Sequence, residues 1–181
     1  MKAMTHVIVS QASFESDDRY ALINSNISVV NLLRGEGYPD ELITAASRAS
    51  YWVDFYRAQV ANGGFAQFVF NCKWDPAVVG EVRDGLAALA LDQHLALFTE
   101  LAATVDAFTP DELNTFLGSE FFGPNLVRDR ITSGRFREVD QRQPLFESNH
   151  TFLRQLPNLK VLTIDDMFTE LEDVLGRPIA R

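Results

Sequence analysis

One cysteine, Cys72, stands among 181 residues, so no internal disulfide can form and nothing calls for an oxidising compartment. No stretch approaches the roughly 20 apolar residues of a membrane span. The apolar run at 7–9, behind Lys2, is far shorter than the about 7–15 residues of a signal-peptide core. The expectation is a cytoplasmic protein with no membrane partner. Histidine is scarce too: His6, His94 and His150 lie far apart, with no second histidine or cysteine at metal-ligand spacing. A phosphate-cradling loop is missing, because Gly63-Gly64 lacks the glycine and lysine that follow in such loops. Neither a metal nor a cofactor is expected, and Cys72 reads as a small hydrophobe rather than half of a Cys–His dyad. Cations are few, 16 Lys and Arg against 25 Asp and Glu, for a net charge of −9. Direct nucleic-acid binding is thereby disfavoured, since neutralising phosphates needs clustered bases.

What the chain does have is apolar content of 46% and 14 Phe residues, enough for a packed core. No internal repeat, low-complexity tract or linker divides it. The reading is a single domain over 13–181, behind a loose lead-in over 1–12, with 5–10 adding at most a short strand.

Helix signals dominate. Over 17–33, Tyr20, Ile23, Ile27, Val30 and Leu33 recur at three- and four-residue steps. Pro39, with Asp40 and Glu41 behind it, opens a second helix to Asn62, which Gly63-Gly64 stops. Asp75-Pro76 pairs an N-cap with proline at the first helical position. A helix from Asp92 carries Leu95, Phe98, Leu101, Val105 and Phe108. Thr109 and Glu112 form a capping box, Thr163 and Asp166 a second. Gly176 and Pro178 close the last helix. The stretch 118–134 is irregular at its start, and 136–156 is helical with interruptions at Pro144 and Pro157. The fold class is all-α, an irregular multi-helix bundle with at most two very short strands, 7–9 and 159–162.

Adjacent carboxylates at Asp17-Asp18, Asp40-Glu41, Asp111-Glu112 and Asp165-Asp166 each fall in a first helical turn. The helix dipole accounts for them, at roughly 0.3–1 kcal/mol each. The charge distribution is more informative. Residues 75–120 hold nine acids (Asp75, Glu81, Asp84, Asp92, Glu100, Asp106, Asp111, Glu112, Glu120) and one base, Arg83. The arginine-rich segment 121–160 could cancel them or form a second surface. The final helix adds Asp165, Asp166, Glu170, Glu172 and Asp173. An acidic interaction surface therefore draws on Asp75, Glu81, Asp84, Asp92, Glu100, Asp106, Asp165, Asp166, Glu172 and Asp173.

Asn62-Gly63-Gly64-Phe65-Ala66-Gln67-Phe68-Val69-Phe70-Asn71 stands out on physical grounds. Two glycines allow a tight reversal, Phe65 and Phe68 bury apolar surface, and the amides can satisfy backbone freed at the break. It reads either as a structural corner or as a polar pocket of Asn62, Gln67 and Asn71. The stretch resembles the signature of the bacterial DNA-mimic protein 19-like family: Asn-Gly-Gly-Phe, then Gln and Phe, then Asn. The resemblance extends upstream through Tyr51, Val53, Asp54 and Tyr56, and covers about residues 40–120. It implies an all-α fold. For the member that names the family it also implies an acidic dimer that imitates duplex DNA and occupies the DNA-binding face of a transcriptional repressor.

The functional expectation is a non-enzymatic interaction protein, a DNA mimic engaging a basic DNA-binding regulator, as a homodimer if it follows the namesake. The alternatives are an immunity or antitoxin-type inhibitor of a basic nuclease toxin, and a small enzyme using Asn62, Gln67 and Asn71. The last lacks a nucleophile or base nearby.

Overall fold

A computed structural model describes residues 1–131 and 134–180. It divides into two compact units, Met1–Tyr51 with Phe146–Arg181, and Trp52–Leu145. In chain order the elements are β1 (Val7–Ser10), α1 (Gln11–Phe14), α2 (Arg19–Gly35), a 3-10 turn (Asp40–Leu42), α3 (Ala45–Cys72), α4 (Pro76–Ala88), α5 (Asp92–Asp106), α6 (Pro110–Gly118), α7 (Leu126–Ile131), α8 (Phe136–Arg142), α9 (Leu145–Gln155), β2 (Leu159–Leu162) and α10 (Ile164–Leu175). The fold is all-α, with one two-stranded parallel sheet.

In the first unit β1 and β2 pair in register, Val7 opposite Leu159 and Ser10 opposite Leu162. All four residues of β1 are buried, so a loose lead-in over 1–12 does not describe this segment. The period-two alternation of a strand explains why. Ile8 joins a core with Val30, Leu33, Leu171 and Val174 from α2 and α10. Val7 and Val9 join a second core with Leu22, Ile23 and Leu153. The Ser10 amide at the strand end donates to Ser25 Oγ on α2 at 2.9 Å.

The helix expected from Pro39 is also corrected. Asp40–Leu42 makes only a 3-10 turn, because Arg34 grips the Asp40 carboxylate with two bonds of 2.9 and 2.7 Å. The α-helix starts afterwards, where Thr44 Oγ1 accepts the Ser47 amide at 3.1 Å. Two asparagines then hold its first turns from neighbouring helices. Asn26 donates to the Ser47 carbonyl and Asn149 to that of Ser50, each at 3.0 Å.

The second unit packs around Tyr56, Phe65, Phe68, Phe98 and Phe116, all buried. Here Gly63-Gly64 interrupts α3, as expected, but a second helical segment follows directly across the kink. Gly63 (φ −140°, ψ 21°) and Gly64 (φ 72°, ψ −175°) leave helical geometry, yet the helix resumes to Cys72. The magnitudes decide this outcome. Burying Phe65 and Phe68 contributes about 1.5–3 kcal/mol each, more than the roughly 0.5–1 kcal/mol that a glycine costs inside a helix. Three expected caps are in place. Asp75 accepts the Ala77 amide, Thr109 and Glu112 form a reciprocal capping box, and Thr163 accepts the Asp166 amide. Gly176 closes α10 in the left-handed conformation at φ 72°.

Candidate functional site

The glycine corner is built from both sides of the kink. Phe65 and Phe68 turn inward against Tyr56 and Phe98, with Tyr56–Phe68 and Phe65–Phe98 centroids each 5.5 Å apart. On the outer side Gln67 lies back over Gly63, where a Cβ would come within 2.1 Å of Gln67 Oε1. Gln67 Nε2 and Asn71 Nδ2 both donate to Gln59 Oε1, at 3.0 and 2.5 Å. Gln59 therefore gathers two of the three expected amides, and Asn62 stays exposed outside the group. Gln59 went unread in the sequence. Its spacing of eight and twelve residues from Gln67 and Asn71 was the available signal, hidden by the expectation that the helix ended between them.

The acidic residues at 75–120 are spread over α4 and α6, which side chains cap, and α5, which none caps. Asp75 serves as the N-cap of α4, Glu81 is half-buried, and Asp84 and Asp92 are exposed on α4 and α5. Asp106, in the last turn of α5, accepts the Trp74 indole N–H at 3.0 Å. The arginine-rich segment cancels part of this charge. Arg135 pairs with Glu100, and Arg130 with Glu112 at 2.7 Å. Arg128 pairs instead with neighbouring Asp129, and Arg142 with Glu138. Asp84, Asp92 and Asp111 make no ion pair among the described residues.

In the first unit Asp165 and Asp166 occupy the first turn of α10, as read from the sequence. Glu172 accepts the Ile179 amide at 3.1 Å, and Asp173 pairs with Lys2 at 2.7 Å. These acids are largely engaged in holding their own chain together. The stronger candidates for an outside partner are on α4 and α5.

A buried polar group escaped the sequence reading. His94, fully buried on α5, places Nε2 2.8 Å from the Gln143 carbonyl. A carbonyl only accepts, so Nε2 carries the proton. Asp140 Oδ1 lies 3.6 Å from the same nitrogen and accepts the Leu145 amide at 2.9 Å. Burial, the largest influence, holds His94 below its ordinary pKa and so neutral, against opposing pulls from Gln143 and Asp140. The Tyr56 hydroxyl is buried without a partner among the described residues, and burial followed by the Asp140 charge raises its pKa. Cys72 is likewise pushed up to about 11, mainly by burial. Its thiolate is thereby disfavoured at neutral pH.

Among the described residues no three His, Cys, Asp or Glu side chains are placed to hold a metal. No described helix is long and apolar enough to cross a membrane. What the geometry defines is an all-helical protein with a glycine-kinked central helix and a carboxylate-bearing helical pair. A family model described as DMP19-like protein matches residues 41–173, and the chain belongs to that family. No curated protein and no solved structure matches it.

Proposed function

We propose that this chain is a non-enzymatic acidic interaction protein whose α4–α5 carboxylates receive a basic nucleic-acid-binding protein in place of DNA. Membership of the DMP19-like family is in keeping with this reading. The observation that carries it is the imbalance over residues 75–120, nine acids to one base, with most of the acids on α4, α5 and α6. Duplex DNA presents about one charge per 1.7 Å of axis, so a surface that substitutes for it needs fixed carboxylates with few cations between them. Asp84, Asp92 and Asp111, exposed and outside ion pairs among the described residues, are the candidates for it; Glu100 and Glu112, held by arginines, contribute less.

The test is capture from native cells on the immobilised protein at low salt, with elution by rising salt. Each captured protein is then re-bound in the presence of duplex DNA. Recovery of a DNA-binding protein that DNA displaces supports mimicry. Recovery of a nuclease toxin whose cleavage is blocked would assign inhibition instead. If nothing basic is retained at low salt, the proposal fails.

A further inference from the structure

The carboxylate Asp106 sits where helix electrostatics disfavour it. It occupies the last turn of α5, and the negative end of a helix dipole repels an acid there. The turn that carries its hydrogen-bond partner, Trp74, is also under strain. Lys73 and Trp74 both adopt left-handed backbone, at φ 55° and 52°, a conformation that side chains larger than glycine rarely hold and that collects at functional positions. The result is a Trp74 ring fixed at several points. It packs edge-to-face with Phe65 and Phe68, with centroids 6.1 and 6.4 Å away, and its indole N–H is donated to Asp106 Oδ1.

Trp74 and Asp106 line a surface cleft of about 230 Å³ together with Pro76, Val79, Gly80 and Arg83. Gly80 lies inside α4, where a Cβ would meet nothing within 4 Å. Alanine would fit there and favour the helix, so glycine forfeits stability and leaves the cleft wider. Arg83, the lone base of this region, makes no ion pair among the described residues. An aromatic wall beside a carboxylate is the chemistry that recognises a guanidinium. The planar cation stacks on the ring and bonds to the carboxylate oxygen that the indole leaves open.

We infer that this cleft takes an arginine side chain of a basic protein partner, with Trp74 as its stacking wall and Asp106 as its anion. The inference rests on the acidic-face reading of the protein and names the anchoring point within it. Arg83 lines the same cleft, and its like charge opposes an incoming arginine.

The experiment titrates the full chain with a blocked hexa-arginine peptide and follows the two indole N–H resonances by NMR. The Trp74 signal shifts to saturation, and the Trp52 signal serves as the internal control. Asp106→Asn keeps an oxygen for the indole and weakens binding by about five-fold or more, while Gly80→Met, which fills the cleft without touching a charge, does likewise. Arg83→Gln tightens binding, and a hexalysine peptide binds less well. An unmoved Trp74 resonance overturns the inference. So does an Asp84→Asn control that weakens binding as much as Asp106→Asn, because diffuse charge would then suffice. If the wild type, Asp106→Asn and Gly80→Met proteins all capture a DNA-displaceable partner equally, the acidic-face reading stands and the cleft assignment falls.

Discussion

Gln67 covers Gly63 so closely that a Cβ at position 63 would approach its Oε1 to 2.1 Å and its Cβ to 2.9 Å. The two glycines of the corner are therefore required for different reasons. At Gly63 the backbone (φ −140°) suits any residue, and space is the obstacle. At Gly64 space is open and the backbone is the obstacle, since φ 72° with ψ −175° is a region populated essentially by glycine alone. Gly64→Ala should cost about 1–3 kcal/mol whatever occupies position 67. Gly63→Ala should be substantially rescued by Gln67→Ala. Urea unfolding of the single and double variants measures the difference, and absence of rescue would contradict this account of Gly63.

Stability should fall in mild acid because of two histidines. Burial holds His94 below its ordinary 6.5, and partial burial, then Arg154 and Arg19, hold His150 below it as well. Below about 6.5 the unfolded chain takes up protons that the folded chain refuses, so acid favours unfolding. Their contribution is complete above that pH and is lost as pH falls toward the depressed folded values. The urea midpoint should drop between pH 7 and pH 5, and His94→Gln should flatten the dependence. A slope unchanged in that variant would rule His94 out as a source.

Tyr56→Phe removes a buried hydroxyl that has no hydrogen-bond partner among the described residues. The ring keeps its edge contacts with Phe68 and Phe98 at 5.5 and 5.4 Å. Loss of an unsatisfied polar atom should be neutral or stabilising, by up to about 1 kcal/mol. A clear loss in thermal stability would mean that the hydroxyl has an important partner.

Asp75 carries a structural role and a candidate functional one, and substitutions can separate them. Asp75→Ala should cost about 0.5–2 kcal/mol through loss of the N-cap. Asp75→Ser should keep the cap and remove only the charge. Partner capture that weakens in the serine variant at unchanged stability assigns the carboxylate to the interface. Equal capture by the serine variant and the wild type removes Asp75 from it.

Charge reversal of Asp84 and Asp92 together should leave the fold intact, because both are exposed and outside ion pairs among the described residues. A loss of up to about 1 kcal/mol is expected from Asp92 alone, which sits in the first turn of α5. Salt-sensitive capture should fall sharply. Undiminished capture by the doubly reversed protein would move the interface elsewhere.

Short-range signals were the legible ones. The caps at Asp75, Thr109, Thr163 and Gly176 depend on residues within a few positions of each other. All four positions were read correctly, but Thr163 caps α10 without the reciprocal Asp166 bond to its backbone that a capping box requires. The corner was read half correctly. Glycine marks a break locally, but whether the chain turns away or resumes its helix depends on what Phe65 and Phe68 find to pack against. Arg135–Glu100, His94–Asp140 and the Val7–Leu159 register join residues far apart in sequence. Charge and hydropathy along a chain carry no record of such pairs. The acidic excess over 75–120 was visible as composition, whereas its partial cancellation by Arg130 and Arg135 needed coordinates.

The register of β1 with β2 has a consequence for how the molecule comes into being. A ribosome releases Val7–Ser10 long before Leu159 exists, and the contiguous Trp52–Leu145 unit is complete in between. Long-range parallel pairing is slow to form even in a finished chain. The nascent protein must therefore carry an apolar, unpaired strand through most of its synthesis, the period in which such edges invite aggregation. Whatever covers Val7–Val9 during that interval would lower the risk, and the pairing with β2 removes it.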